Sequence, residues 1–322
     1  MTVSMVRALN DGLRRALETD PSVLLIGEDI GRLGGVFRVT DGLRKDFGAD
    51  RVMDSPLGEA GIVGTAVGLA LRGYRPVCEI QFDGFTFPAV NQIVTQLAKM
   101  RHRSGGALAL PVVVRMPYGG GIGSIEHHSE SPETYFAHTA GLKVVTCATP
   151  HDAYWMIQAA IRSEDPTVFL EPKRRYWVKG EVDERDDLPL EKARVVRDGT
   201  DLTLIGYGPS VATCLTVAYQ CAERGRSVEV VDLRSLSPLD SDTLVGSVRR
   251  TGRAVIVHEA SLSHGVGAEV AARVQDGAFY LLEAPVARVT GYDTPYPPSR
   301  LEQTWLPGVQ RVLAAVDRTF SH

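Results

Sequence analysis

The chain has 322 residues, 44% of them apolar and 23% charged, with a formal net charge of −4 at neutral pH. That length favours two domains, and the balanced charge lacks the basic footprint that nucleic-acid binding needs. The longest nearly apolar run, Gly61 to Leu71, is too short and too rich in Gly and Ala to span a bilayer, and Met1 to Arg7 has no apolar signal core, so a soluble cytoplasmic protein without membrane or nucleic-acid partners is expected.

In chain order, Met5, Leu9, Leu13 and Leu17 recur as one face of an amphipathic helix, and Val23 to Gly27 reads as a buried strand. Glu59 opens a helix of small residues (Ala60, Gly61, Gly64, Ala66, Gly68, Ala70) that something must approach closely. Pro76 to Ile80 reads as a strand and Phe87 to Arg101 as a helix. The strand Val112 to Val114 precedes a glycine-rich loop, Tyr118 to Ser124. Lys143 to Thr146, His151 to Ile161 and Val168 to Leu170 repeat strand, helix, strand. Apolar strands separated by helices predict an α/β fold with a parallel sheet covered on both faces.

From Lys173 to Asp198 charge crowds and periodicity fades, which predicts an interdomain linker, set at 181–198 between domains at 1–180 and 199–322. A second α/β unit follows: strand Leu202 to Ile205, helix Pro209 to Glu223, strand Val228 to Val231, a helix after Asp240, strand Ala254 to His258 and a helix from Gly265.

Three features invite chemical readings. Gly206-Tyr207-Gly208 follows a strand but lacks the third glycine of a dinucleotide fingerprint, so a tight turn is the simpler reading. His127-His128-Ser129-Glu130 suggests a metal cluster or a Ser-His hydrolase. Neighbouring side chains of an extended segment diverge, however, and no G-x-S-x-G elbow is present. Cys78, Cys147, Cys214 and Cys221 have no metal or disulfide spacing and read as small buried hydrophobes.

Several segments together resemble the β subunits of thiamine-diphosphate-dependent 2-oxo acid dehydrogenases. They are Gly27-Glu28-Asp29, Gly34 to Thr40, Ser55 to Gly64, Glu79-Ile80-Gln81-Phe82, the loop ending His128-Ser129, Gly141 to Val145, Val231 to Asp240, His258-Glu259-Ala260 and Gly265 to Glu269. The resemblance spans nearly the whole chain. It implies a pyrimidine-binding thiamine-diphosphate domain followed by a transketolase C-terminal-like domain.

By that resemblance Glu59 is the carboxyl group that hydrogen-bonds the cofactor's aminopyrimidine, where the residues alone would suggest only a first-turn Glu favoured by the helix dipole. Phe85 matches the aromatic against the same ring, and Leu57 and Gln81 match neighbouring pocket positions. His128 matches a histidine near the bound acyl group. The family's His-Ser-Gln is His-Ser-Glu here, so Glu130 is expected to raise the pKa of His128 if the two approach. Some relatives hold a potassium ion, whose ligands here would come from Val112, Ala160, Ser163 and Asp165, mostly through carbonyl oxygens.

The superfamily's magnesium-binding Gly-Asp-Gly occurs nowhere in this chain. The resemblance therefore implies that an α subunit holds magnesium and the diphosphate, in an α2β2 heterotetramer docked on a lipoylated acyltransferase core. Glu79 to Phe82, Ser131-Pro132-Glu133 and Phe169 to Lys173 look closer to the branched-chain branch than to the pyruvate or acetoin branch. Two other classes compete: a nicotinamide oxidoreductase, resting on the lone GxG, and a non-catalytic assembly subunit, which requires Glu59 and His128 to be dispensable.

Overall fold

Met5, Leu9, Leu13 and Leu17 all lie buried on the helix Met5–Thr19, which Ser4 caps by accepting the Arg7 N–H at 3.3 Å. This helix packs against Pro150–Arg162, whose start is set by Thr149 as N-cap and proline in the first turn. Gly12 lets the two approach, because a Cβ there would come within 2.6 Å of the Ile157 side chain. The computed structural model describes residues 2–183, 185 and 188–322.

The first half carries β1 (Thr2–Ser4), β2 (Val23–Gly27), β3 (Val52–Asp54), β4 (Arg75–Glu79), β5 (Val113–Tyr118), β6 (Lys143–Thr146), β7 (Thr167–Pro172) and β8 (Lys179–Glu181). The second half carries β9 (Arg194–Arg197), β10 (Leu202–Gly206), β11 (Val228–Asp232), β12 (Ser235–Ser237), β13 (Ala254–Ser261) and β14 (Ala287–Gly291). One sheet runs β12-β6-β7-β5-β4-β2-β3 and is parallel except for β12; the other runs β14-β13-β10-β11-β9 and is parallel except for β9. β1 and β8 form a separate antiparallel pair. Strands buried on both faces explain the unbroken apolar runs, since helices cover each side of such a sheet.

The structure adds to the sequence reading at four places. The helix expected over Phe87 to Arg101 is a 3₁₀ segment Asp83–Ala89 containing Pro88, a widened π turn Gln92–Leu97 and a short α-helix Ala98–Arg103; proline cannot donate the bond a continuous helix needs. The charged stretch after Pro172 is not simply a solvated linker: Lys173 and Tyr176 are buried, and β9 lies inside the expected 181–198 segment, paired to β11. Residues 184, 186 and 187 of that segment lie outside the described residues. Serine-rich β12 crosses over and pairs with β6 of the first sheet, where Ser237 Oγ donates to the Leu142 carbonyl at 3.2 Å. Gly208 serves packing, since a Cβ there would lie 2.1 Å from the Tyr118 hydroxyl of the first half. All four cysteines are free and buried, and among the described residues no helix is long and apolar enough to cross a membrane.

Candidate active site

The chain runs outward from β2 to β3, then returns past β2 to β4, so a crevice opens above the carboxyl ends of β2 and β4. Ligands of open α/β sheets bind in such crevices. Gly27 lies level with both Asp54 and Glu79, so the residues that follow each strand emerge at one height. Glu28 accepts the Gly58 N–H at 3.1 Å, and Gln81 Nε2 donates to the Glu28 carbonyl at 3.4 Å. Glu59 is the first residue of the helix Glu59–Leu71 and is buried. Among the described residues no side chain donates a hydrogen bond to its carboxyl group. Burial pushes the Glu28 carboxyl upward; the Gly58 N–H opposes that, and the nearby Glu59 charge adds to it. Leu57 stands 86% exposed on the turn before this helix.

A second cluster continues from Gln81. Phe82, Phe85, His127 and His128 pack as rings: His128 stacks on Phe82 at 3.9 Å and meets the edge of Phe85 at 5.2 Å. His128 Nδ1 lies 3.0 Å from the His127 carbonyl, which accepts from the tautomer protonated at Nδ1 and then leaves Nε2 for another partner. Gly84 permits this approach, because a Cβ there would lie 2.3 Å from the His127 carbonyl oxygen.

The turn is fixed from below by a buried ion pair. Asp83 accepts the Glu130 N–H at 2.9 Å and pairs with Lys173, whose ammonium lies 5.8 Å from the Phe82 ring centre. Burial drives the Asp83 carboxyl up and the Lys173 ammonium down, in each case against their mutual attraction. Deeper still, Arg115 joins Glu79 and Glu171, with Tyr176 donating to Glu171 at 2.6 Å. Glu130 acts differently from expectation. Burial, then the Asp83 and Glu126 charges, raise its carboxyl, and the histidine that opposes this is His127, not His128.

The residues expected to ligate potassium are also engaged within the chain. The Val112 carbonyl accepts the Thr167 N–H at 2.9 Å, and the Ala160 carbonyl accepts the Ser163 N–H at 3.1 Å. Arg75 donates to the Ser163 carbonyl at 3.2 Å, Lys143 donates to the Ser163 hydroxyl at 3.1 Å, and Asp165 pairs with Arg101 and Lys143. Arg75, Arg101 and Lys143 thus bring three cationic side chains to this turn.

Sequence reasoning did not single out Glu28, Asp83, Lys173, Glu259 or Glu302 around the site. Glu28, Asp83, Lys173 and Glu259 lie in or beside segments that carry the resemblance, but Glu302 does not, and the partners of Lys173, Glu259 and Glu302 lie far off along the chain.

Residues 1–178 match the family described as transketolase, pyrimidine binding domain, and residues 191–312 match the transketolase C-terminal domain. A pyruvate dehydrogenase E1 component subunit beta from Leifsonia xyli is 59% identical across the whole chain and 96% of its own length. The chain belongs to the E1 β-subunit family of 2-oxo acid dehydrogenases. A member from Mycobacterium tuberculosis, a 3-methyl-2-oxobutanoate dehydrogenase subunit beta, is 54% identical over 98% of this chain and 92% of its own. A solved structure titled split gene transketolase, inactive beta4 tetramer, shares the fold at a TM-score of 0.83 and 22% identity, covering 99% of this chain and 98% of its own.

Proposed function

We propose that this chain forms the pyrimidine side of a thiamine-diphosphate site that it completes with an α subunit, in an α2β2 enzyme that decarboxylates branched-chain 2-oxo acids. The observation that carries the reading is Glu59, a buried residue at the switch-point crevice whose carboxyl group has no side-chain donor among the described residues. With no side-chain donor among the described residues, its carboxyl oxygens are free to take a partner at the crevice, and an aminopyrimidine ring supplies one. When bound, thiamine diphosphate provides the nucleophilic carbon and the electron sink for decarboxylation.

The chain's residues have narrower tasks. Glu59 holds a proton at the ring nitrogen, and Glu28 fixes the turn before it through the Gly58 N–H. Leu57 and Phe85 give the ring apolar surface, and Gln81, tied to the Glu28 carbonyl, lines the pocket floor. His128, with Nδ1 committed to a carbonyl, offers Nε2 to the acyl group and to its transfer onto lipoyl groups of an acyltransferase core. Magnesium and the diphosphate fall to the α subunit, because the chain has no Gly-Asp-Gly. We assign residues 1–180 to the pyrimidine-binding domain and 199–322 to the C-terminal one, in a cytoplasmic complex.

The branch-like segments Glu79 to Phe82 and Phe169 to Lys173 support a branched substrate. Pyruvate is the second reading, favoured by the name of the 59% identical relative. With the α subunit added, kcat/KM for 2-oxoisovalerate should exceed that for pyruvate. A clear preference for pyruvate reverses the substrate, and absence of decarboxylation with either overturns the assignment.

A further inference from the structure

The glycine-rich loop that leads to His128 is held by a carboxylate from the far end of the chain. Gly119, Gly121 and Gly123 have φ of 80°, 90° and 73°, a left-handed conformation that glycine alone adopts readily. Alternating such residues turns successive N–H groups toward one side and creates a concavity suited to an anion. Glu302 fills it. Its carboxylate accepts the Gly121 N–H at 2.9 Å and the Gly123 N–H at 3.2 and 3.3 Å. It also accepts the Tyr296 hydroxyl at 2.6 Å, and that hydroxyl lies 3.3 Å from the Gly121 nitrogen. Glu302 is 4% exposed, and among the described residues no cation pairs with it.

The remaining anchors of the loop are independent of Glu302. Glu259 accepts the Gly120 N–H at 3.0 Å and pairs with Arg174 at 2.6 Å. The base is closed by the Gly119 N–H donating to the Glu130 carbonyl at 2.8 Å. Between these points, the arc from Gly121 to Ile125 has Glu302 as its clamp, and the turn Glu126–His128 follows directly. We propose that Glu302 is a positioning residue: by occupying the loop's N–H concavity it sets the arc that delivers His128 to the crevice. The proposal rests on the reading of His128 as the acyl-side residue.

The test uses the enzyme assembled with its α subunit. In Glu302→Ala, amide exchange across residues 121–128 should speed up about tenfold, the effect of losing one charge-assisted hydrogen bond. Lipoyl-linked kcat should fall by about the same factor with KM for the 2-oxo acid little changed. Millimolar formate, as a free anion for the vacated concavity, should restore part of both. Glu302→Gln keeps the volume but sets an amide against the N–H groups, should lie between, and decides the matter if the alanine variant does not fold. Unchanged exchange in the loop of both variants overturns the proposal, as does a loss that formate leaves untouched. His128→Ala separates the two claims: normal turnover in that variant removes the role of His128, whereas loop exchange still judges Glu302.

Discussion

The two sides of the crevice are built by different means. The rim with Glu28, Gly58, Glu59 and Gln81 comes from consecutive strand-to-helix turns of one sheet, and its height follows from the level of Gly27 with Asp54 and Glu79. The loop with His128 has no such register. It is held by a buried Asp83–Lys173 pair on one side and by Glu259, Tyr296 and Glu302 on the other. A group that must be placed rigidly can be set by strand pairing. A loop placed by side-chain anchors depends on contacts that can each be removed singly.

The comparison breaks first at Glu59. Glu59→Gln should lower turnover about 10²–10⁴-fold while leaving loop exchange at residues 121–128 unchanged; a loosened loop in that variant means that the two sides are coupled. On the other side, Lys173→Ala leaves Asp83 buried without its cation and should cost about 3–5 kcal/mol of stability, read by denaturant unfolding, with the Gly58 and Ile62 amides still protected. Survival with a loss under about 1 kcal/mol would show that the pair does not hold the turn.

A pH series sharpens the contrast further. Glu133 is fully buried, and burial pushes its carboxyl up to about 7, although it accepts the Tyr207 hydroxyl at 2.6 Å. Its folded pKa lies above the unfolded one, so the folded state binds the extra proton. Its contribution is therefore present at low pH and lost as pH rises from about 4.5 to about 7. Glu133→Gln should match the wild type near pH 4.5 and gain on it by up to about 3 kcal/mol by pH 7.5. A difference independent of pH rules out ionisation as its cause. The smallest effect is expected at the turn 160–165. Exchanging potassium for choline should leave the melting temperature unchanged, whereas Arg75→Ala should cost about 1–3 kcal/mol. A rise on adding potassium to the wild type would reinstate the cation.

What the sequence disclosed follows the same division. β2 could be read to its last residue because both faces are buried and the run is unbroken, and Glu59 was marked by its local motif. β12 left no trace, since three residues with serine at each end show neither alternation nor apolar continuity; only its antiparallel pairing with β6 makes it a strand. Lys173 opened the charge-crowded stretch read as a linker, and its partner Asp83 lies ninety residues away. The expected potassium ligands carried no sign that Arg75 and Lys143 reach them from elsewhere in the fold. Glu302 stands in a stretch without periodicity, and its carboxylate is held by two glycine amides from the other half of the chain.

β12 also governs the order in which the protein is made. The edge of β6 that it covers belongs to a sheet whose other strands end at Pro172, yet the covering residues are Ser235–Ser237. A nascent chain that has emerged only to residue 190 thus carries an open, hydrogen-bonding sheet margin. Such a margin invites pairing with a neighbouring chain. Translation must proceed through the first strands of the second domain before that margin closes, so shortened products ending between the domains should aggregate where the full chain does not.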